Sequence, residues 1–271
     1  MELTTYVVFL YLACWFGHLT ACTATPPGSA ARKTMLATLL AVWGLNTVSI
    51  GLRWVESHQM GIGHAPLSNL YESLVVFSWS IVAALVIVRL RYKADIVVLV
   101  GLPLSMMIMA YTFFLDQSIK PLIPALQSNW LTIHVFTCFL GYAGFAVSFI
   151  AAALYLPAAT LPRFGKFLPT THLLDEIIYR AILVGYPMLT VGIITGAAWA
   201  DYAWGSYWSW DPKETWSLIT WLVYSAFLHA RLARNWTGLR TAILSVLGFA
   251  AVLFTYFGVN YLPGLHSYFQ L

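Results

Sequence analysis

The chain reads as long apolar runs separated by short polar punctuation. Eight runs stand out, at about 4–21, 35–52, 72–90, 95–114, 130–156, 180–198, 215–232 and 239–260, each near the roughly 20 residues a helix needs to cross about 30 Å of hydrocarbon. No ten-residue stretches of alternating polarity occur, which argues against a membrane barrel. The pattern predicts an all-α, polytopic integral membrane protein with about eight transmembrane helices, folded as a single membrane domain over residues 1–271. The first run has no basic n-region and no clean small-residue cleavage site, so it reads as a span rather than a signal peptide.

The punctuation predicts where helices start and stop. Asp211-Pro212-Lys213-Glu214 has an N-cap residue, a Pro at the first helical position and a Glu at the third, so a helix starts sharply at Pro212. Asn69 and Glu72 repeat that spacing ahead of the third run, and Asn129 is the expected cap of the fifth. The second run is expected to end near Leu52, leaving Glu56, His58 and His64 in an outward loop. Residues 157–180 read as a surface connection that could hold an interfacial helix, and Gly141, Ala143, Gly144 and Ala146 make a small-residue face suited to close helix contact.

Composition sharpens this picture. The 271 residues are 60% hydrophobic and only 9% charged, where a soluble domain carries about 25% charge. The few charges report orientation. Eleven of the 14 basic residues, including Arg32, Arg89, Arg163, Lys166, Arg231 and Arg240, follow odd-numbered spans; Arg53, Lys120 and Lys213 do not. The positive-inside rule puts the larger group in the cytoplasm and both termini outside.

Candidate chemistry gathers in one outward segment, residues 199–216, WADYAWGSYWSWDPKETW. It holds Trp199, Trp204, Trp208, Trp210 and Trp216, with Tyr202 and Tyr207. Membrane anchoring accounts for one or two of these; the rest suit a stacking surface for a large, flat, apolar ligand. The topology returns His134 and His266 to the same surface, while His229 lies about 21 Å along its helix from Thr215, toward the cytoplasm. Neutral imidazole is an axial ligand for haem iron, and paired histidines beside a Trp face match haem. His18 is a second intramembrane histidine, either a ligand or a bond to its own helix end. His58 and His64 read as surface histidines without a ligand role. Met106, Met107 and Met109 read as packing. Three cysteines with no CxxC pair support neither a zinc site nor a disulfide framework, and without CxxCH the chain attaches no c-type haem to itself. Asp211 and Glu214 are acid–base candidates by location only, since capping explains both.

The stretch WGSYWSWDPKETW resembles the WWD signature of the haem-handling membrane proteins of cytochrome c maturation, and among them the CcsA (ResC) family of the system II cytochrome c synthase. PLSNLYESLVVFSW at 66–79, HVFTCFLGYAGFA at 134–146, FLHARL at 227–232 and GLHSYF at 264–269 are similar to that family as well. The sister families CcmC and CcmF carry WWD segments but differ in span count. The resemblance implies haem b as substrate and bound ligand, with the five tryptophans as its platform. It implies that His134 and His266 ligate iron at the outer surface and take part in the lyase reaction, where Asp211 is a further candidate by its location. His229 would hold a deeper haem whose other ligand comes from a separate CcsB (ResB)-like partner, with His18 as an internal alternative. The expected second substrate is an apocytochrome c with CxxCH, and the expected location is a bacterial cytoplasmic membrane. No nucleic acid is expected. Two other classes stay open on the residues alone: a haem-binding electron-transfer subunit, and a transporter without haem.

Overall fold

The reason each apolar run becomes a helix is that hydrocarbon leaves no partner for backbone polar groups except those within the segment itself. The computed structural model describes residues 3–161 and 168–266, and every regular element among them is helical. The eight α-helices are α1 (Leu3–Ala24), α2 (Ala30–Gln59), α3 (Leu70–Tyr92), α4 (Asp95–Tyr111), α5 (Asn129–Thr160), α6 (Thr171–Trp204), α7 (Pro212–Arg234) and α8 (Leu239–Tyr256). Short 3-10 turns follow α4, precede α5 and follow α8. Arg163 and Lys166 of the charge map, and Ser267–Phe269 of the last motif, lie outside the described residues.

Seven of these helices are long and apolar enough to cross a membrane; α7 is not among them. Its 23 residues suffice in length, but Lys213, Glu214, His229, Arg231 and Arg234 dilute its apolar character. The chain is a multi-pass membrane protein. It divides into two compact units, residues 1–122 with α1–α4 and residues 123–271 with α5–α8.

In the first unit α2 runs seven residues past the expected stop at Leu52, so Glu56 and His58 lie on a helix and not in a loop. His64 departs further from expectation. It is 7% exposed, with its backbone N–H donated to Ser57 Oγ at 3.0 Å and its ring nitrogens beside the carbonyls of Ala65 and Lys120. It is a buried post of the outer loops, not a surface histidine. Asn69 caps α3 as expected, accepting the Glu72 N–H at 2.8 Å. Glu72 itself is buried and holds both Arg53, at 2.8 Å, and the Ser68 N–H and hydroxyl. The pairing satisfies charges that would otherwise be costly to bury. His18 is buried with Nδ1 against the Cys14 carbonyl at 2.9 Å, the local bond a histidine makes to its own helix.

In the second unit α5 and α6 touch along their backbones. A Cβ at Gly144 would lie 2.8 Å from the Ala181 carbonyl, and one at Gly185 the same distance from the Gly141 carbonyl. The small-residue face therefore does what its composition predicts. α5 is capped by Ser128, whose hydroxyl accepts the Trp130 N–H, one residue before the expected Asn129. α6 is one continuous helix of 34 residues from Thr171, so no separate interfacial helix precedes it among the described residues. At 1.5 Å per residue it is about 51 Å long and outruns the hydrocarbon by several turns. On the cytoplasmic side of the expected map, Asp175 accepts from Arg231 at 2.7 Å and from the Gly238 N–H at 2.8 Å, fastening the turn between α7 and α8 to α6.

Candidate functional site

The site grows from two helix ends. α6 finishes at Trp204, where Gly205 takes a left-handed conformation (φ 75°) and donates its N–H to the Asp201 carbonyl. Seven residues on, α7 begins with the predicted capping box: Asp211 Oδ1 accepts the Lys213 N–H at 2.8 Å, and Glu214 Oε2 accepts the Asp211 N–H at 3.2 Å. Glu214 Oε2 also accepts the Ser209 N–H at 2.8 Å. It thus clasps the peptides on both sides of Trp210, whose φ of 59° is left-handed and rare for a bulky residue. Such strain costs on the order of 1–3 kcal/mol, and the clasp offsets it. The result is a Trp210 ring 68% exposed, edge-on to Trp208 at 5.7 Å.

Asp211 does more than cap. Its Oδ1 accepts the His266 Nδ1–H at 2.8 Å and its Oδ2 accepts the Leu265 N–H at 2.6 Å. Gly264 makes that approach possible, because a Cβ there would stand 2.4 Å from Asp211 Oδ2. Burial raises the Asp211 carboxyl, but the hydrogen bond and charge of His266 and the two backbone N–H donors outweigh it and hold it down at about 2. Burial lowers His266 below its ordinary value, against the opposing pull of Asp211.

His134, on the second turn of α5, is oriented the same way by a different acceptor. Its Nδ1–H points to the Gly192 carbonyl of α6 at 2.7 Å, with the Cys138 thiol 3.7 Å away. The ring lies in a groove that Gly196 keeps open, since a Cβ there would fall 2.6 Å from Nδ1. In both histidines an oxygen acceptor fixes the proton on Nδ1 and leaves the Nε2 lone pair for a ligand.

The two imidazoles meet a common ring. Trp199 stacks on His134 with centroids 6.3 Å apart and planes 11° from parallel, and it meets His266 at 5.6 Å and 55°. Trp204 lies edge-on to His266 at 4.7 Å. Of the expected residues, then, His134, His266, Asp211, Trp199 and Trp204 come together. Trp208 and Trp210 form a separate outer pair. Trp216 packs against Phe254 of α8 at 4.1 Å, in the helix interface. His229 stands apart, exposed on α7 about 27 Å along the axis from Asp211. Sequence reading missed Gly192, Gly196, Gly264 and the Glu214 clasp. The four-residue spacing of Gly192 and Gly196 was the available signal for a close contact, though not for an imidazole in it.

Among the described residues no group of three or more His, Cys, Asp or Glu could hold a bare metal ion. Two imidazoles suffice only for an iron that brings its other donors, as a porphyrin does. The cavity beside His266, lined by Pro212 and Leu262 among others, has about 160 Å³ of space even counting open solvent, too little to enclose a porphyrin.

Fold and site together define a class: a polytopic membrane protein that presents a tautomer-fixed pair of imidazoles in a tryptophan frame at one surface. Residues 67–266 match the family model described as cytochrome C assembly protein. The chain is 42% identical over 250 residues to the cytochrome c biogenesis protein CcsA of Guillardia theta, covering 82% of this chain and 81% of that one. It is 40% identical over 273 residues to CcsA of Synechococcus sp. (strain CC9902), covering 89% and 88%, and 36% identical over 318 residues to CcsA of Microcystis aeruginosa, covering 97% and 94%. The chain belongs to the CcsA family of cytochrome c biogenesis proteins. Its fold is similar to that of a solved structure titled cytochrome c heme lyase CcmF, with a TM-score of 0.66 at 20% identity over 94% of this chain and 45% of that one.

Proposed function

We propose that this chain, as the CcsA component of a two-protein cytochrome c haem lyase, holds haem b at its outer surface with iron between Nε2 of His134 and Nε2 of His266. The observation that carries the reading is the pair of Nδ1–H bonds, to Gly192 O and to Asp211, on two histidines that share Trp199. Such bonds leave the Nε2 lone pair of each imidazole available to an iron. The exposed Trp210 and the half-buried Trp208 supply apolar faces beside it. The second substrate is the CxxCH segment of an apocytochrome c. Each thiol adds across a vinyl group, sulfur to one carbon and hydrogen to the other, with no net electron transfer. The chain's contribution is to hold the ring in one orientation while the thiols approach. Asp211 orients His266 rather than reacting itself.

His229, exposed on α7, is the proposed ligand of haem at an earlier station, its opposite ligand coming from a CcsB-like partner subunit. The buried, internally bonded His18 lies in the other unit. The proposed location is a bacterial cytoplasmic membrane or its equivalent, with both termini on the outer side, as the placement of the basic residues favours. His229→Ala lowers the haem that reaches the outer pair; full maturation in that variant removes the earlier station.

The outer pair is tested by maturation of a reporter CxxCH cytochrome at matched protein levels. His134→Ala and His266→Ala each abolish maturation, and the double variant adds little, as for groups that act as a unit. External imidazole partly restores each single variant by entering the vacated position. Normal maturation in the double variant would sink the site.

A further inference from the structure

We infer that Trp199 is a positioning residue, a spacer that fixes the two iron-ligating imidazoles relative to each other, and not a plate on which the porphyrin stacks. The inference rests on the outer-site reading above. Trp199 is 3% exposed, so neither face is open to a ligand as wide as a porphyrin. One face is already taken by His134, parallel at 6.3 Å, and the ring also meets His266 at 5.6 Å and Trp204 edge-on at 4.8 Å. Its Nε1–H is donated to the Ala125 carbonyl at 2.8 Å. That bond ties the ring to the 3-10 turn at Pro124–Leu126, ahead of the helix that carries His134.

The physical need for such a spacer is plain. His134 takes its orientation from Gly192 and His266 takes its own from Asp211, acceptors on two different segments. Two ligands of one iron must agree to within about 0.5 Å, and separate acceptors do not guarantee that. Trp199 touches both rings. Tryptophan alone combines a surface wide enough to span them with a donor at its edge that stops it turning. Trp210, 68% exposed and held out by the Glu214 clasp, is by contrast open to stacking.

The test uses the full chain with its partner subunit, loaded with haem, reading the low-spin six-coordinate absorption spectrum and reporter maturation with and without imidazole. In Trp199→Ala, haem is retained, the outer haem's share of the low-spin signature is lost and maturation falls by about ten- to a hundredfold, the range for removal of a ligand-orienting neighbour. Imidazole restores the low-spin spectrum, because a small free ligand needs no positioning. Trp199→Phe keeps a ring but loses the Ala125 bond, and shows the same defect to a smaller degree. Trp210→Ala loses the outer haem and keeps only what the His229 station holds, and imidazole does not restore it. A Trp199→Ala protein that loses haem and ignores imidazole, as Trp210→Ala does, makes Trp199 a stacking plate and overturns the inference. Should Trp199→Ala accumulate poorly, a normally expressed Trp199→Phe with wild-type spectrum and rate overturns it equally. His134→Ala and His266→Ala run alongside: wild-type low-spin spectra there would remove the outer-site reading itself, whatever Trp199 does.

Discussion

Asp211 is the residue on which three jobs converge: it caps α7, it anchors the chain after α8 through the Leu265 N–H, and it sets the tautomer of His266. A carboxylate accepts all three bonds; an amide presents one oxygen and one NH2. Lys213 and His266 share Oδ1 while Leu265 bonds Oδ2, so Asp211→Asn turns its NH2 either on the Leu265 N–H or on the two Oδ1 donors, and in both cases withdraws the charge that holds His266. Maturation is expected to fall about ten- to a hundredfold with protein level nearly unchanged, the usual cost of removing an outer-shell partner. Added imidazole recovers part of it, as for His266→Ala; an Asn variant of wild-type rate shows that His266 needs no carboxylate. Acid should act in the same direction. His266 lies below the ordinary histidine value, so Nε2 stays available at neutral pH and protonation competes only as pH falls past that range.

At the scale of elements, the contact of α5 with α6 both holds the fold and shapes the site. Toward one end, Gly141, Gly144 and Gly185 let the backbones touch; toward the other, Gly192 and Gly196 make the same groove receive an imidazole. Gly196→Ala separates the two roles. Alanine favours the helix by about 1 kcal/mol over glycine, so the protein should accumulate normally. Its Cβ, 2.6 Å from where Nδ1 lies, displaces the His134 ring and breaks the bond to Gly192. The expected outcome is normal membrane levels with maturation lost, measured by immunoblot and reporter haem stain. Full activity in Gly196→Ala would mean that the ring has another seat. Gly144→Ala, against the Ala181 carbonyl at 2.8 Å, should instead lower protein level.

For the whole molecule the decisive quantity is orientation. Eleven of 14 basic residues fall on one side of an eight-span map. The weakest link is α7, which fails a simple hydropathy test because its two ends carry the chemistry. If α7 did not cross, His266 would be on the opposite side from His134. The two meet at Trp199 in one compact unit, which supports the crossing. A periplasmic-type reporter fused after Leu271 should be active, and one fused at residues 163–166 inactive, with a cytoplasmic reporter giving the reverse. Opposite activities overturn the map.

The helices, their number and the capping box at Asp211 were legible because each depends on nearby residues: apolar length, a Pro at the first position, a Glu three residues after the cap. The outer histidine pair was legible through the resemblance and the topology, which count spans and need no coordinates. Other features depended on contacts between distant segments and were not legible. His64 looked like a surface residue until Ser57 and the Lys120 carbonyl closed around it. The five tryptophans looked like one platform, yet the turn at Gly205 and the start of α7 divide them into Trp199 with Trp204 beside His266, Trp208 with Trp210, and Trp216 against Phe254. Nothing near Gly264 in the chain marks it for a close contact, and only the fold brings the Asp211 carboxylate to within the space a side chain would need. Local sequence sets which backbone conformation is cheap, and so it determined the helices. Which faces and side chains meet is set by packing across more than 50 residues of chain, and only the tertiary structure decided how His134, Trp199, Asp211 and His266 became one site.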